Sequence, residues 1–350
     1  MTTHNLANHP FVTIVIPVLN EERFLKSLFE SLGYLNGNRI LPGNYEIIVV
    51  DGGSTDRTLP ILDELNEHGD LKVIHNPLVI QSAGVNLAVK NANPHSKILV
   101  RIDAHAIYEE GFISQVVSSM IESKAQSVVV PLITRSQNNQ SVFAEAVEIA
   151  QLSKMGNGGA SHRLSSTPAQ WVEHGHHAGF DIDFFREIGG YDEQFATNED
   201  AEYDTRVIEA GGRIWFDPKA KAWYSPRESM KSLSIQYYKY GIGRASTILK
   251  HKLIPKPRQM FPVVAFIANV TAILLSLFSN LFLLVPFLYI LVCYFAAFIE
   301  LKSSEKANYK FIREQAAVAL VIMHMSWAIG YLSQFFRKYV KSISGKNRGH

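Results

Sequence analysis

Four short clusters of polar residues in this sequence could carry chemistry. They are Pro17-Val-Leu-Asn-Glu-Glu22, Asp51-Gly-Gly-Ser54, Asp103-Ala-His105 and Thr197-Asn-Glu-Asp-Ala-Glu-Tyr-Asp204. A carboxylate and an imidazole two residues apart, as in the third cluster, can turn toward one divalent cation, and this donor pair suits Mn²⁺ or Mg²⁺. A carboxylate can also take a proton from a hydroxyl group. Asp200 and Asp204 are four residues apart and share a helix face, so the fourth cluster could supply such a base.

Each cluster also has a purely structural interpretation. Asn20 followed by two acids is a good helix start, and Ser54 or Thr55 could cap a helix. Acids in a first helical turn, as at Glu199, commonly stabilise the helix dipole. For the first three clusters a functional interpretation is favoured, because each directly follows an apolar run that is typical of a strand.

Residues 11 to 130 alternate between short β-branched runs and longer amphipathic stretches. This alternation predicts an α/β fold with a mostly parallel sheet that is covered by helices on both faces. In such sheets, ligands bind at the carboxyl ends of the strands. The predicted strands lie at 11–16, 45–50, 71–74, 97–102, 127–131 and 213–216, and the predicted helices at 21–35, 56–67, 82–91, 111–124, 141–153, 184–190 and 200–210.

Composition excludes several classes of protein. The 34 basic and 32 acidic residues give a net charge of +2, so no nucleic-acid partner is expected. The single cysteine, Cys293, excludes an intramolecular disulfide framework and a cysteine-rich zinc site. No Gly-x-Gly-x-x-Gly motif follows a strand and no Gly-Lys-Ser/Thr occurs, so a dinucleotide fingerprint and a P-loop are both missing.

The C-terminal part of the chain has long uncharged runs. Residues 261–299 contain no Asp, Glu, Lys, Arg or His, and His324 is the only ionisable residue in 315–336. As a helix, the first run would reach about 58 Å, close to two crossings of a hydrocarbon core about 30 Å thick. The hydrophobic region 261–336 is therefore predicted to hold membrane segments at 261–278, 281–299 and 315–336, with a turn at Ser279-Asn280.

Basic residues flank these segments. Region 227–260 carries eight Lys and Arg residues against the single acid Glu228, which predicts basic amphipathic helices at a membrane surface; a solvated helix is the alternative. The loop 300–314 and the tail 337–350 are also basic. The positive-inside rule then conflicts with a spanning segment 315–336, because the tail would lie outside; a re-entrant or interfacial segment is the alternative. The N-terminal region 1–226 shows no export signal, so it is expected on the cytoplasmic side of the inner membrane.

In order and spacing, the four clusters resemble those of family 2 glycosyltransferases, which are inverting, nucleotide-sugar-dependent enzymes with a GT-A fold. The resemblance covers roughly residues 11 to 226. It implies that the donor nucleotide is contacted by Pro17, Leu19, Glu21, Asp51 and Asp103. It also implies that Asp103 binds a divalent cation, with His105 at the place of the family's second aspartate, and that Asp200 of the Glu199-Asp200 pair is the general base.

The resemblance is strongest to glucosyltransferases of succinoglycan-type exopolysaccharide assembly, which act on lipid-linked oligosaccharides. It rests on the Asp-Ala-His triplet, the Asn-Glu-Asp-Ala-Glu run and the apolar C-terminal segments. It implies uridine diphosphate glucose as donor and a polyprenyl-pyrophosphate-linked saccharide as acceptor. Lys239 and Tyr240 replace the Arg and Trp of the motif that processive members carry, which disfavours a polymerase. Acceptor-side candidates are Arg163, His176, His177 and Glu199; structural hydrogen bonding is the alternative for the two histidines.

Two other functions remain open at this point. One is a polyprenyl-phosphate sugar synthase, in which the lipid phosphate is the acceptor and needs no general base. The other is a non-catalytic membrane subunit that binds a sugar nucleotide. The complete set of strand-end acids argues against the second, because a binding module has no use for a base.

Overall fold

The computed structural model describes residues 10–34, 44–66, 69–136, 141–158, 167–301 and 311–346. Its strands are β1 (Phe11–Val18), β2 (Tyr45–Asp51), β3 (Leu71–His75), β4 (Ser96–Arg101), β5 (Ala106–Tyr108), β6 (Ser127–Val130), β7 (Leu132–Thr134), β8 (Gln170–Val172), β9 (His176–Asp181), β10 (Ile214–Phe216) and β11 (Ala222–Tyr224). Its helices are α1 (Leu25–Ser31), α2 (Thr58–Leu65), α3 (Gln81–Asn91), α4 (Phe112–Ser123), α5 (Val142–Leu152), α6 (Lys154–Asn157), α7 (Ile182–Glu187), α8 (Glu199–Glu209), α9 (Met230–His251), α10 (Pro257–Leu275), α11 (Leu284–Leu301) and α12 (Ile312–Lys346).

The main sheet has eight strands in the order β3-β2-β1-β4-β9-β6-β10-β8. Strands β1, β2, β3 and β4 pair in parallel, and so do β6 and β10. Strand β9 runs antiparallel between β4 and β6, and β8 pairs antiparallel with β10. The predicted mostly parallel α/β sheet is therefore confirmed. Strand β9 itself was not predicted, because its sequence His-His-Ala-Gly-Phe-Asp lacks a clear alternation of polar and apolar residues.

Apolar side chains cover both faces of this sheet. In β1, Ile14 and Ile16 pack into one core cluster, whereas Val15 packs into a second cluster on the other face together with Ile48 and Val50. Because consecutive strand residues point to opposite faces, burial on both sides requires continuous apolar runs. This explains why the strands of the sequence read as unbroken β-branched stretches.

The strand register brings several loops to one edge of the sheet. Val18 at the end of β1 lies opposite Asp51 at the end of β2. On the other side of β1, the N–H of Ile102 donates to the carbonyl of Val15 at 2.9 Å. The polar clusters that follow β1, β2 and β4 therefore emerge at the same edge.

The chain divides into two compact units. The first comprises Met1–Ile133 and Leu164–Tyr224 and contains the main sheet. The second comprises Thr134–Arg163 and Ser225–His350. Helices α5 and α6 thus belong to the second unit, although they lie inside the span 1–226 that the sequence suggested as one domain.

Three helices of the second unit are long and apolar enough to cross a membrane, namely Pro257–Leu275, Asn280–Leu301 and Ile312–Val340. The predicted apolar C-terminal helices are therefore present, with shifted bounds. The first helix starts earlier than predicted because Pro257 is suited to a first helical turn. The turn between the first two lies just before Asn280, where a 3-10 turn, Asn280–Leu283, begins, and the Ser279 side chain accepts from the Leu281 N–H.

Candidate active site

The loops after β1 and β2 are joined by hydrogen bonds. The Asn20 side chain accepts from the Thr55 N–H at 2.8 Å, and the Asn20 N–H donates to Ser54 Oγ at 2.9 Å. The Glu21 N–H donates to Thr58 Oγ1 at 2.8 Å. These bonds hold the backbones of the two loops against each other at this edge of the sheet.

Asp51 is buried and shapes its own loop. Its carboxylate accepts from the N–H groups of Gly53 at 2.9 Å and Ser54 at 3.1 Å. A Cβ atom at Gly52 would lie only 3.0 Å from the Val79 carbonyl oxygen, and Gly53 has a φ of +88°. Both glycines are therefore required by this geometry, and the carboxylate of Asp51 is already engaged with backbone donors.

The other residues predicted for donor binding line the same edge. Pro17 is half-buried and Leu19 is exposed, with a methyl group 3.5 Å from the position of a Gly52 Cβ. The Glu21 carboxylate lies 3.3 Å from Nδ1 of His105. This contact connects the loop after β1 with the loop after β4.

Arg101, the last residue of β4, holds the acidic residues together. Its side chain is only 3% exposed, and it donates to Asp103 Oδ1 at 2.9 Å and to Asp200 Oδ1 at 2.7 Å. It also donates to the Tyr191 hydroxyl at 2.9 Å and lies 3.6 Å from Glu199. Burial would lower the pKa of Arg101, but Asp103 and Asp200 outweigh it and raise that pKa well above its usual value. One fixed cation therefore joins carboxylates that are about a hundred residues apart in sequence.

Asp103 stays ionised in this setting. Burial acts to raise its pKa, but the charges of Arg101 and His176 outweigh burial and lower the pKa to about 2. Gln81, at the start of α3, donates to Asp103 Oδ1 at 2.7 Å. His105 also contributes to the lowered pKa, so the two predicted metal ligands lie within electrostatic reach of each other.

The two carboxylate oxygens of Asp200 have different surroundings. Oδ1 accepts from Arg101 and from the Tyr191 hydroxyl at 2.9 Å, and it lies 3.2 Å from Nδ1 of His177. Among the described residues, the partner recorded for Oδ2 is Nδ1 of His176, at 3.9 Å. Burial would raise the pKa of Asp200, but Arg101 and His177 outweigh it and lower that pKa well below its usual value. Asp200 is thus an anchored, ionised carboxylate with one oxygen left to accept a proton.

Behind Asp200 lies a buried chain of polar groups. His177, whose side chain is 0% exposed, places Nε2 at 2.6 Å from Asp204 Oδ1. The other oxygen of Asp204 lies 2.5 Å from Nδ1 of His174, which is partly exposed. Burial would lower the pKa of His177, but Asp204 and Asp200 raise it to about 10. His177 is therefore a cation that clamps Asp200, and it is too deeply buried to contact an acceptor itself.

His176 and Glu199 complete the cluster. Nε2 of His176 lies 3.7 Å from Asp103 Oδ2, so this imidazole stands between Asp103 and Asp200. Burial lowers the pKa of His176, which keeps it neutral near pH 7. Burial and the neighbouring Asp200 raise the pKa of Glu199 to about 7. Glu199 therefore changes charge near neutral pH.

The structure brings together most of the residues that the sequence singled out: Glu21, Asp103, His105, His176, His177, Glu199 and Asp200. Arg163 lies outside the described residues. Sequence reasoning did not assign Arg101, Tyr191 and His174 to the site, and it named Asp204 only as a neighbour of Asp200 on one helix face. The spacing Arg101-x-Asp103 was a signal for the first, because residues two apart in a strand point to the same face.

Comparisons with known proteins identify the family. The sequence profile of "Glycosyl transferase family 2" matches residues 13–189. The chain belongs to this family. It is thus a glycosyltransferase, as the order of its acidic clusters indicated.

Several relatives cover most of this glycosyltransferase. It is 38% identical over 330 residues to "Succinoglycan biosynthesis protein ExoA" of Rhizobium meliloti, which covers 93% of this chain and 96% of the relative. It is 27% identical over 252 residues to "Dolichyl N-acetyl-alpha-D-glucosaminyl phosphate 3-beta-D-2,3-diacetamido-2,3-dideoxy-beta-D-glucuronosyltransferase" of Methanococcus voltae, over 69% of this chain and 74% of that protein. The predicted resemblance to the succinoglycan-type proteins is confirmed.

A solved structure supports the fold assignment. "Mannosyltransferase PcManGT from Pyrobaculum calidifontis in complex with GDP-Man and Mn2+" superimposes with a TM-score of 0.56 at 16% identity. The match covers 95% of this chain and 89% of the mannosyltransferase. The predicted GT-A fold is confirmed.

Proposed function

We propose that this glycosyltransferase moves a hexose from a nucleotide diphosphate sugar to a hydroxyl group of a lipid-linked saccharide, with inversion at the anomeric carbon. The observation that carries the proposal is the buried cluster in which Arg101 holds Asp103 and Asp200 at the binding edge of the sheet. Asp103 belongs to the donor side and Asp200 to the acceptor side. Two acids fixed by one arginine define where the donor and the attacking hydroxyl meet.

Asp200 acts as the general base. Its Oδ1 is occupied by donors, so Oδ2 is the oxygen that takes the proton of the acceptor hydroxyl. The hydroxyl oxygen then attacks the anomeric carbon from the face opposite the leaving diphosphate. One displacement with one base gives inversion and requires no covalent glycosyl-enzyme. The low pKa of Asp200 ensures that the base is unprotonated at any working pH.

A divalent cation, Mn²⁺ or Mg²⁺, forms part of the proposal, with Asp103 and His105 as its protein ligands. Among the described residues, no group of three or more His, Cys, Asp and Glu side chains could hold a metal ion. This fits a cation that takes one or two protein ligands and completes its shell with substrate phosphates. When bound, the cation would neutralise charge on the departing diphosphate. The ionised state of Asp103, with its pKa of about 2, suits this role.

The acceptor is proposed from the membrane helices and the relatives. The name of the Methanococcus relative describes transfer to a sugar carried on a dolichyl phosphate, which is a lipid-linked acceptor. The name of the Rhizobium relative refers to the biosynthesis of succinoglycan. We therefore propose a polyprenyl-linked saccharide as acceptor in the assembly of an exopolysaccharide or related surface glycan. The donor is proposed as uridine diphosphate glucose, and the catalytic unit is proposed to work on the cytoplasmic side of the inner membrane.

The proposal is tested by a donor screen with membrane-bound enzyme and extracts of lipid-linked saccharides. Nucleotide release is expected only when donor, divalent cation and lipid-linked acceptor are all present. NMR of the product is expected to show inversion at the transferred anomeric carbon. Retained configuration would exclude a single displacement with Asp200 as the base.

Two variants locate the roles of the acids in this assay. Asp103→Ala is expected to abolish the response to added cation, whereas Asp183→Asn, a change at an exposed ion pair with Lys97, should leave turnover unchanged. If Asp103→Ala keeps the cation response, the metal assignment is wrong. Transfer to bare polyprenyl phosphate that survives in Asp200→Asn would instead favour the sugar synthase function, since a phosphate acceptor needs no base.

A further inference from the structure

The three apolar helices of the second unit differ in how much of their surface is covered by protein. Only 22% of the apolar window in α10 and 11% of that in Asn280–Leu301 is buried, against 56% in α12. Half of the exposed large apolar side chains among the described residues lie between Val264 and Ile299. The apolar surface that protein leaves exposed is therefore mainly that of α10 and α11, whereas most of the apolar window of α12 is already buried.

The connection between α10 and α11 is itself apolar. Leu277, Phe278 and Leu281 are 83%, 85% and 70% exposed, respectively. No charged residue occurs from Phe261 to Ile299, whereas Lys252, Lys256 and Arg258 directly precede this run. An uncharged hairpin with an apolar tip and a basic base matches a bilayer, with acyl chains around the tip and anionic headgroups at the base.

Helix α12, in contrast, is lined by a polar helix along its C-terminal half. Ser234 and Ser326 hydroxyls lie 2.9 Å apart, and the Gln334 amide donates to Ser246 Oγ at 3.0 Å. Lys338 Nζ donates to the Leu249 carbonyl at 3.2 Å. These contacts show that α9 and α12 run side by side in the same direction.

Glycines make this pairing very close. A Cβ atom at Gly241 of α9 would lie 2.1 Å from the Trp327 carbonyl oxygen, and one at Gly330 of α12 would lie 2.1 Å from the Tyr238 carbonyl oxygen. The backbones of the two helices therefore touch, as small residues at a helix crossing permit. Helix α9 cannot leave α12 without a large loss of packing, so the two helices share one environment.

That environment must be polar, because α9 exposes charge along its whole length. Lys231, Lys239 and Lys250 are all exposed. The middle of α12 also contacts helix α6, which likewise carries an exposed lysine. Nε2 of His324 lies 3.1 Å from the Met155 carbonyl of α6, next to the exposed Lys154. If α12 crossed the bilayer, Lys154 and the lysines of α9 would enter the hydrocarbon, which is costly for any charged side chain.

We infer that only the α10–α11 hairpin enters the bilayer and that α12 stays outside it, so the chain after Arg337 lies on the same side as α9. Helix α12 is then the scaffold on which α5, α9, α10 and α11 pack, and more than half of its apolar window is buried by protein contacts. This arrangement removes the conflict with the positive-inside rule, because the basic tail and the basic residues before α10 share one side of the membrane. The inference concerns attachment to the membrane and does not depend on the proposed reaction.

The test is labelling of single cysteines with a membrane-impermeant maleimide. The background is Cys293→Ala, and the three reporters are Arg258→Cys, Ser279→Cys and Arg337→Cys. Sealed membrane vesicles of known orientation are labelled from each face, and detergent-opened vesicles serve as the control for reactivity. We expect Arg258→Cys and Arg337→Cys to react from the same face, and Ser279→Cys not to react from that face.

Labelling of Arg337→Cys from the face opposite to Arg258→Cys would overturn the inference, and so would rapid labelling of Ser279→Cys from the face of Arg258→Cys. A measurement on the unaltered helices guards against misfolded variants. A protease-cleavable epitope after His350 should be removed only from the vesicle face at which Arg258→Cys reacts, and removal only from the other face would refute the inference. None of these readouts requires enzyme activity, so they remain valid if the proposed function fails.

Discussion

Replacement of Arg101 by methionine tests whether the acidic cluster is held by one buried cation. The variant leaves Asp103, Asp200 and Glu199 as buried carboxylates without the guanidinium that contacts them. Removal of one partner of a buried ion pair typically costs about 3–5 kcal/mol. For a unit of this size, such a loss corresponds to a fall in melting temperature of roughly 6–20 °C.

The loss should depend on pH with a definite sign. The pKa of Asp103 is about 2 in the folded protein, below its usual value, so this pairing stabilises the fold above pH about 4 and fades only as pH falls toward 2. In Arg101→Met the folded-state pKa values of Asp103 and Asp200 rise. Protonation then relieves the buried charge, so the deficit against the unaltered protein should be largest at pH 8 and smaller at pH 5.

The assay is thermal unfolding in one detergent, followed by tryptophan fluorescence at pH 5 and pH 8. The matched control is Arg186→Met, which removes an exposed arginine 3.4 Å from Asp183. Exposed pairs contribute about 0–1 kcal/mol, so the control should shift the melting temperature little at either pH. Equal shifts in both variants, or a deficit in Arg101→Met that grows at low pH, would refute the role assigned to Arg101.

Two further predictions concern the groups around Asp200. The pKa of Glu199 is raised to about 7, so ionisation of Glu199 above that pH opposes folding; its favourable contribution is complete below the unfolded-state pKa and lost as pH rises through about 7. As pH rises from 4.5 to 8, the free energy of unfolding of Glu199→Gln should therefore increase by on the order of 3 kcal/mol relative to that of the unaltered protein. The melting temperature of the variant should accordingly fall less with rising pH. Melting temperatures of the two proteins that change in parallel with pH would contradict this. His177→Gln removes a cationic donor from Asp200, so kcat should fall about 10–100-fold with little change in donor KM. The acid limb of the pH–rate profile of His177→Gln should move to higher pH, because the pKa of Asp200 rises without His177. The control His174→Gln, which changes the partly exposed residue beyond Asp204, should shift this limb less. An unchanged acid limb in His177→Gln would mean that His177 has only a structural role.

The sequence predicted the strand-end residues well, because a parallel sheet places those ends at one edge. Asp103 and His105 could be singled out for this reason, whereas Asp200 lies at the start of helix α8 and was singled out by the resemblance to the family. The spacing Arg101-x-Asp103 could have pointed to Arg101, but nothing local indicates that its side chain also meets Asp200, a contact across 99 positions. Donor contact by Asp51 stays a prediction, and the sequence did not indicate that its carboxylate also accepts from the N–H groups of its own loop.

Tertiary context decided the remaining features. Strand β9 carries His176 and His177 between β4 and β6, and its local sequence has no strand pattern because these two histidines and Gly179 leave no continuous apolar run. The apolar character of 315–336 suggested lipid contact, yet most of that surface is covered by neighbouring helices. Hydrophobicity shows that a helix is buried, and only the positions of its partners show whether protein or lipid buries it.

The most direct test of the account is the turnover of Asp200→Asn with a sugar hydroxyl as acceptor. Asparagine keeps the shape of the side chain but cannot take a proton, so nucleotide release coupled to transfer should fall about 10²–10⁴-fold. Asp183→Asn, changed in the same way at an exposed position, should retain full turnover. If Asp200→Asn transfers sugar to a hydroxyl within a few-fold of the unaltered rate, Asp200 is not the base and the proposed mechanism is wrong.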